Sequence, residues 1–188
     1  MLKRKLFITI CLMSTLSIFS NSVFAAFTSD EAAELLAEAK AVAQKFKAET
    51  KGADAVFAGA KGVLVCPEIK KMGVGIGYEG GKCVLTAGSS EALYYSTRAL
   101  KAGAILGVEK HSMILVFNTD EVLAKFTSGE REWEVGADAS VAIAKVGAGG
   151  DIDTTNLKKD IISFIFGQKG LIGDLSFEGS SFKKLDVE

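Results

Sequence analysis

Apolar residues recur at helical spacing between residues 28 and 51. At about 100° per residue they fall within a single arc of the helix surface. The arc contains Ala32, Leu35, Leu36, Ala39, Val42, Ala43 and Phe46. Thr28, followed three residues later by Glu31, fits a capping box at the helix start. This pattern predicts an N-terminal amphipathic helix.

Charges are sorted along this predicted helix. Lys40, Lys47 and Lys51 lie along one edge of the apolar arc, and glutamates cluster nearer the other edge. In one interpretation the apolar face, represented by Leu35, Leu36, Val42 and Phe46, inserts into lipid while the three lysines reach lipid phosphates. In the other, the face packs on the sheet of the same domain, as most amphipathic helices do. The sequence leaves both interpretations open.

Strand patterns begin after a short apolar stretch, residues 53–60, which continues the helical layer. Residues 62–66 are typical of a buried strand, and Pro67 is expected to end it. A short helix is expected from Thr119 to Phe126, capped by Thr119 or Asn118. Further strands are predicted at residues 113–117, 139–146, 161–166 and 171–177, with a turn at 167–170.

Glycine occupies alternate positions of one strand, at Gly73, Gly75 and Gly77. Each glycine costs roughly 0.5 to 1 kcal/mol there, so the repeat implies a close approach or a sharp bend of the sheet. If Gly80 and Gly81 form a hairpin loop, one strand face is apolar and belongs in the core. That face carries Val74, Ile76, Tyr78, Cys83 and Leu85. The prediction is an α+β fold in which a strongly curved, mostly antiparallel, glycine-rich sheet packs with the N-terminal helix and short helices.

The same strand order sets an expectation for Cys66 and Cys83. Cysteines on adjacent strands can be bridged, whereas an intervening strand would separate them by about 9 to 10 Å. A simple meander places one strand between them. We therefore expect two free thiols.

The first 25 residues have the pattern of a signal peptide. Lys3, Arg4 and Lys5 precede an apolar run that extends from Leu6 to Phe19, and small residues near Ala25 suit cleavage after that position. The apolar run is shorter than the ~20 residues of a spanning helix. We expect a mature protein of residues 26–188 that forms a single domain and is periplasmic or secreted.

Composition excludes some classes of partner. Without the three basic residues of the leader, the chain has 19 basic and 23 acidic residues, a formal net charge of −4. This charge gives no general attraction to nucleic acid. The expected mature chain keeps two of the three cysteines and the single histidine, too few for a typical zinc site, so we expect no metal and no cofactor.

The sequence contains no arrangement of residues that is typical of a catalytic site. His111 is the only histidine and is expected at the surface, and no serine has the setting of an activated nucleophile. Asp151 and Asp153 lack the spacing of an EF-hand. Glu130 and Glu132 precede Trp133 in a segment expected to be a solvated loop. We therefore expect no enzymatic activity.

Three ordered segments of the chain resemble the SYLF-domain family. They are residues 60–85 (AKGVLVCPEIKKMGVGIGYEGGKCVL), 136–150 (GADASVAIAKVGAGG) and 163–182 (SFIFGQKGLIGDLSFEGSSF). Eukaryotic members of this family bind phosphoinositide membranes, some yeast members also bind actin, and exported bacterial members are described as lipid-binding. The resemblance implies a protein that binds phospholipid or another amphiphile without catalysis. The alternative is an envelope assembly protein that acts through protein–protein contacts at an exposed sheet edge or helix.

Overall fold

The computed structural model describes residues 26–128, 132–144, 152, 158–169 and 179–188. In chain order the elements are α1 (Ser29–Glu49), α2 (Ala53–Gly59), β1 (Gly62–Thr86), β2 (Leu93–Phe117), α3 (Asp120–Thr127), β3 (Trp133–Glu134), β4 (Ala142–Ala144), β5 (Ile161–Lys169) and β6 (Ser181–Leu185). The predicted signal peptide, Glu130, the two aspartates 151 and 153, and the strand predicted at 171–177 lie outside the described residues.

The described strands form one sheet organised around β2. Along one edge β2 pairs with β1, and along the other it pairs first with β6 and then with β5. β3 extends the sheet beyond β6, and β4 extends it beyond β5. All pairs are antiparallel except β4 with β5. The predicted α+β class with a strongly curved, mostly antiparallel sheet is confirmed.

Both predicted helix caps are present. The Thr28 hydroxyl accepts a hydrogen bond from the Glu31 backbone N–H, and the Glu31 carboxylate accepts one from the Thr28 N–H, which completes a capping box. These bonds satisfy backbone donors that the first helical turn leaves without a partner. Thr119 caps α3 in the same way by accepting from the Val122 N–H.

The β1–β2 ribbon is longer than the sequence pattern suggested. β1 passes through Pro67 with a register shift between Cys66 and Ile69, so the proline causes a bulge and does not end the strand. Gly80 and Gly81 do not form a loop, because they pair with Arg98 and Thr97 of β2. The predicted hairpin at this position is wrong. β5 likewise continues to Lys169, past the predicted start of a turn.

The ribbon folds back on itself at a corner, which we define as residues 72–78 of β1 and 100–108 of β2. A Cβ at Gly73 would clash with the backbone of Ile76 and Gly77, so only glycine permits this close approach. Gly75 has φ +71°, a conformation that L side chains rarely adopt. Alternating glycines therefore do accompany a sharp bend. The bend lies within one strand pair and not at a hairpin.

The fold-back brings Cys66 and Cys83 into a disulfide, with Cα atoms 4.0 Å apart. The expectation of two free thiols was wrong. It assumed a strand between the cysteines, but the two arms of β1 lie against each other with Glu68 in contact with Gly81. Since both cysteines are fully buried, the disulfide joins the two arms inside the apolar core.

At the base of the ribbon, apolar side chains are buried on both faces. Along β1, Leu64 and Cys66 join a cluster with Phe126 of α3 and Trp133, and Val63 and Val65 join a second cluster against α1 and α2. A strand covered on both faces needs a continuous apolar run, which residues 62–66 and 113–117 provide.

At the corner the polarity is reversed. Seven of the eight large hydrophobic residues that are exposed in the described part of the chain lie here: Met72, Val74, Ile76, Tyr78, Leu100, Leu106 and Val108. The prediction that Val74, Ile76 and Tyr78 lie in the core is therefore wrong. Lys101 within the corner, and Lys71 and Glu109 directly next to it, are buried.

Candidate functional site

A groove of about 740 Å³ lies between the two N-terminal helices and the start of the sheet. Small and branched apolar side chains from α1 and β1 line much of it: Leu36, Ala39, Ala43, Val63, Val65 and Val84. Val63, Val65 and Val84 are also part of the core that α1 covers, so the sheet side of the groove is fixed by packing. Its volume lies within the range of ligand pockets in proteins.

Three lysines lie at this groove: Lys40 and Lys47 from α1, and Lys61 just before β1. Lys47 Nζ lies 3.4 Å from the Asp54 carboxylate and 4.8 Å from the centroid of the Phe57 ring. Lys61 Nζ lies 3.4 Å from the carboxylate of Asp120, at the start of α3. Lys40 is exposed and has no ion pair among the described residues. The groove therefore combines an apolar lining with cations at its boundary.

The structure separates the predicted apolar site residues into two groups. Leu35 and Phe46 are buried in the core, where the Phe46 ring centroid lies 5.1 Å from that of Phe164. Leu36 lines the groove, and Val42 is half-buried against the core. Part of the predicted face thus packs on the domain's own sheet, and its neighbour Leu36 faces the groove.

The predicted lysines separate as well. Lys40 and Lys47 line the groove, whereas exposed Lys51 does not. Lys61 and Phe57 were missed, because their relation to α1 is tertiary. The one signal available for Lys61 was its position immediately before an apolar strand run.

A cluster of charged side chains is buried inside the folded ribbon around His111. His111 Nδ1 lies 3.5 Å from Glu109 Oε1, and His111 Nε2 lies 3.9 Å from Glu79 Oε1. Gln168 Nε2 donates a hydrogen bond to Glu109 Oε1 at 3.3 Å. Burial, assisted by the charge of Lys71, lowers the pKa of His111 to about 4, so the imidazole is neutral at pH 7. The expected surface position of His111 is wrong.

Glu132 and Trp133, which the sequence placed in a solvated loop, both make contacts within the fold. Arg98 makes a bidentate ion pair with Glu132, at 2.9 and 2.8 Å, and this pair holds the pKa of the Glu132 carboxyl below its usual value. Trp133 is buried and packs against Phe126, so the segment predicted as a solvated loop contributes to the core.

The described residues contain neither a metal-binding cluster nor a membrane-spanning helix. They contain no group of three or more histidine, cysteine, aspartate or glutamate side chains placed to hold a metal ion. Within those residues, no helix has the length and apolar content needed to cross a bilayer.

The fold and groove define a class of α+β domain in which two helices border an apolar cleft on a curved sheet. A family model described as "Ysc84: Las17-binding protein actin regulator" matches residues 98–186. The match confirms the resemblance to the SYLF-domain family over this part of the chain, which runs from within β2 through β6. That family is known for lipid binding and actin regulation. No curated protein matches the chain.

Proposed function

We propose that this chain is an exported, non-catalytic protein that binds a phospholipid or a similar amphiphile in the groove between α1, α2 and β1. The observation that carries the proposal is the meeting of an apolar lining with Lys40, Lys47 and Lys61 in one groove. An acyl chain suits the apolar lining, and a phosphate suits the lysines, since ammonium groups bind phosphate as compact point charges.

Lys40 is the best candidate for a phosphate contact. Lys47 and Lys61 each have a carboxylate at 3.4 Å, which already balances part of their charge. Lys40 lies on the same side of α1 and has no such carboxylate among the described residues. A phosphate near Lys40 would therefore gain the most from the unbalanced positive charge.

Two further considerations support the proposal. The SYLF family is associated with lipid binding, which agrees with an amphiphile as the ligand. The leader predicted at residues 1–25 would deliver the protein to the periplasm or the exterior, where it would meet envelope phospholipids.

The experiment is mass spectrometry of lipids extracted from the protein after purification from the envelope fraction. Wild type should carry phospholipid, and Ala43→Trp should reduce the bound amount at least about tenfold by filling the groove. Ala41→Trp, on the exposed side of α1, is the matched control and should retain the lipid. Extracts of wild type without any amphiphile would contradict the proposal.

A charge variant tests the role of Lys40. Lys40→Glu should weaken binding of a purified anionic phospholipid by about tenfold, because it replaces attraction by repulsion at the headgroup. Lys45→Glu makes the same change on the same helix but away from the groove, and its binding should match wild type. Equal losses in the two variants would point to nonspecific charge effects.

The alternative function is assembly with an envelope protein through protein–protein contacts. Exposed apolar side chains at the ribbon corner favour it, because such patches occur at protein interfaces. A stable oligomer in light scattering, combined with no extractable lipid, would support this alternative over the first.

A further inference from the structure

The ribbon corner exposes apolar side chains to an unusual degree. Val74, Ile76, Leu100 and Leu106 are 72 to 79% exposed, and neighbouring Val108 is 60% exposed. They lie on adjacent positions of the two strands, since Val74 pairs with Leu106 and Ile76 pairs with Ala102. Soluble proteins rarely keep large contiguous apolar patches in contact with water.

The same segments place their charge on the inside. Lys101 is the only charged residue within residues 72–78 and 100–108, and it is 6% exposed. At the inner side of the corner, Lys71 and Glu109 are each 1% exposed. A corner with charges inside and aliphatic groups outside has the polarity expected of protein that faces hydrocarbon. In water the opposite arrangement is favoured.

Among the described strands, the corner is two-stranded. Residues 94–98 of β2 pair with β6, and β2 pairs with β5 from Lys110 onward. Between these two stretches, residues 99–102 and 106–109 pair with β1 alone among the described strands. The exposed apolar residues therefore lie on a part of the sheet where the described residues form only two strands.

Cationic residues flank the apolar patch on both sides along the ribbon. At one side Lys70 pairs with Lys110 across the strands, and at the other Gly80 pairs with Arg98. The Glu68 carboxylate lies 3.1 Å from Lys70 Nζ and 2.8 Å from Lys110 Nζ, so it balances part of their positive charge. Glu132 balances the charge of Arg98. Along β1, Tyr78 lies between Ile76 and Gly80, the residue that pairs with Arg98. Aromatic and cationic residues next to an apolar surface are typical of membrane interfaces.

We propose that the corner of the β1–β2 ribbon docks the protein on a phospholipid bilayer by inserting Val74, Ile76, Leu100, Leu106 and Val108 shallowly among the acyl chains. Lys70, Lys110 and Arg98 then face the headgroups. An aliphatic patch bordered by cationic residues matches a bilayer, in which acyl chains lie next to anionic phosphates. This docking surface is separate from the groove and does not require that the groove bind lipid.

The test is flotation of the mature protein with vesicles of phosphatidylethanolamine and phosphatidylglycerol. Val74→Ser and Leu106→Ser should each lower the vesicle partition coefficient about tenfold, because each removes an inserted aliphatic side chain. Val187→Ser is the matched control, since Val187 is exposed and lies outside the corner. It should bind like wild type. Association of wild type should persist at raised salt, where screening weakens only the cationic contribution.

A spectroscopic variant reports on insertion directly. Leu106→Trp should show a blue shift of its fluorescence on addition of the same vesicles. Wild type should show none, because its own Trp133 is buried. Circular dichroism checks that the corner variants fold, as expected for substitutions of exposed side chains.

The outcomes separate docking from groove binding and from self-association. Val74→Ser and Leu106→Ser should lose vesicle association and keep the lipid that is extracted with the protein. Ala43→Trp should lose the extracted lipid and keep vesicle association. Vesicle binding that both serine variants leave unchanged would overturn the proposal. A lipid-independent dimer that Leu106→Ser dissociates would overturn it in favour of a second copy of the chain.

Discussion

At its base the β1–β2 ribbon buries apolar side chains on both faces, whereas at its corner the same two strands expose them and bury charges. The base is covered by α1 and α2 on one face and by the Phe126–Trp133 cluster on the other. Nothing in the described part of the chain covers the outer face of the corner. An alternating pattern therefore identifies two faces of a strand but does not say which face meets water.

The largest expected difference between the two regions is in stability. Phe46→Ala should lower the free energy of unfolding by about 3 to 5 kcal/mol, because Phe46 is 1% exposed and packs against three other phenylalanine rings. Leu106→Ala should change it by less than about 0.5 kcal/mol, since its side chain is already exposed. Urea denaturation followed by circular dichroism measures both. Similar losses in the two variants would contradict the division into base and corner.

The disulfide that closes the fold-back should have the next largest effect. Cys66 and Cys83 are separated by 17 positions, and a cross-link closing such a loop stabilises by about 3 kcal/mol. Reduction of the disulfide in wild type should therefore lower the free energy of unfolding by about 3 kcal/mol, measured as a lower midpoint of urea denaturation. The Cys66→Ala/Cys83→Ala variant should not respond to reductant. A thiol assay in denaturant that finds two free thiols in the oxidised mature protein would show that the arms are not bridged.

The buried charge cluster should give the smallest stability effect of the three, and one that depends on pH. The unfolded chain binds a proton at His111 near pH 6.5, whereas the folded chain does so only near pH 4. The stabilising contribution of neutral His111 is therefore fully present above pH 6.5 and is lost as pH falls toward 4. The loss amounts to at most about 3 kcal/mol.

Comparison of pH profiles isolates this contribution. His111→Gln should have a flatter dependence of unfolding free energy on pH between 6.5 and 4 than wild type. Val187→Ser, which leaves the cluster intact, should retain the wild-type slope. If Glu79 and Glu109 dominated over burial and Lys71, wild type would instead gain stability relative to His111→Gln on acidification.

Much of the helical layer could be predicted from the local sequence pattern. Thr28 and Glu31 form the predicted capping box, and Thr119 caps α3 as expected. Such caps depend on residues three positions apart, so the local sequence contains all the information required. For the groove, helical geometry placed Leu36, Lys40 and Lys47 on neighbouring positions. Lys61 could not be added, because its distance from α1 depends on how the helix lies on the sheet.

The strand errors share one physical cause. Gly80 and Gly81 suit a hairpin, and Pro67 suits a strand end, but β2 supplies a pairing partner along most of β1. This long-range pairing, which covers residues 62–66, 69–74 and 76–85 of β1, outweighed the local preferences. Because the predicted hairpin at Gly80 and Gly81 was wrong, two predictions that depended on it were also wrong. These were the core position of Val74 and Ile76 and the separation of Cys66 from Cys83.

By itself, the sequence determined the fold class, the curvature signalled by alternating glycines, the helix caps, and the family resemblance that the match to residues 98–186 confirmed. Each rests on local spacing or on residue identity. Only the tertiary structure decided that the ribbon folds back at Gly73–Gly77, that its arms are joined by a disulfide, and that the corner exposes apolar groups while His111 is buried. These features depend on which distant segments pack together, and a period-two pattern is the same whichever face is covered.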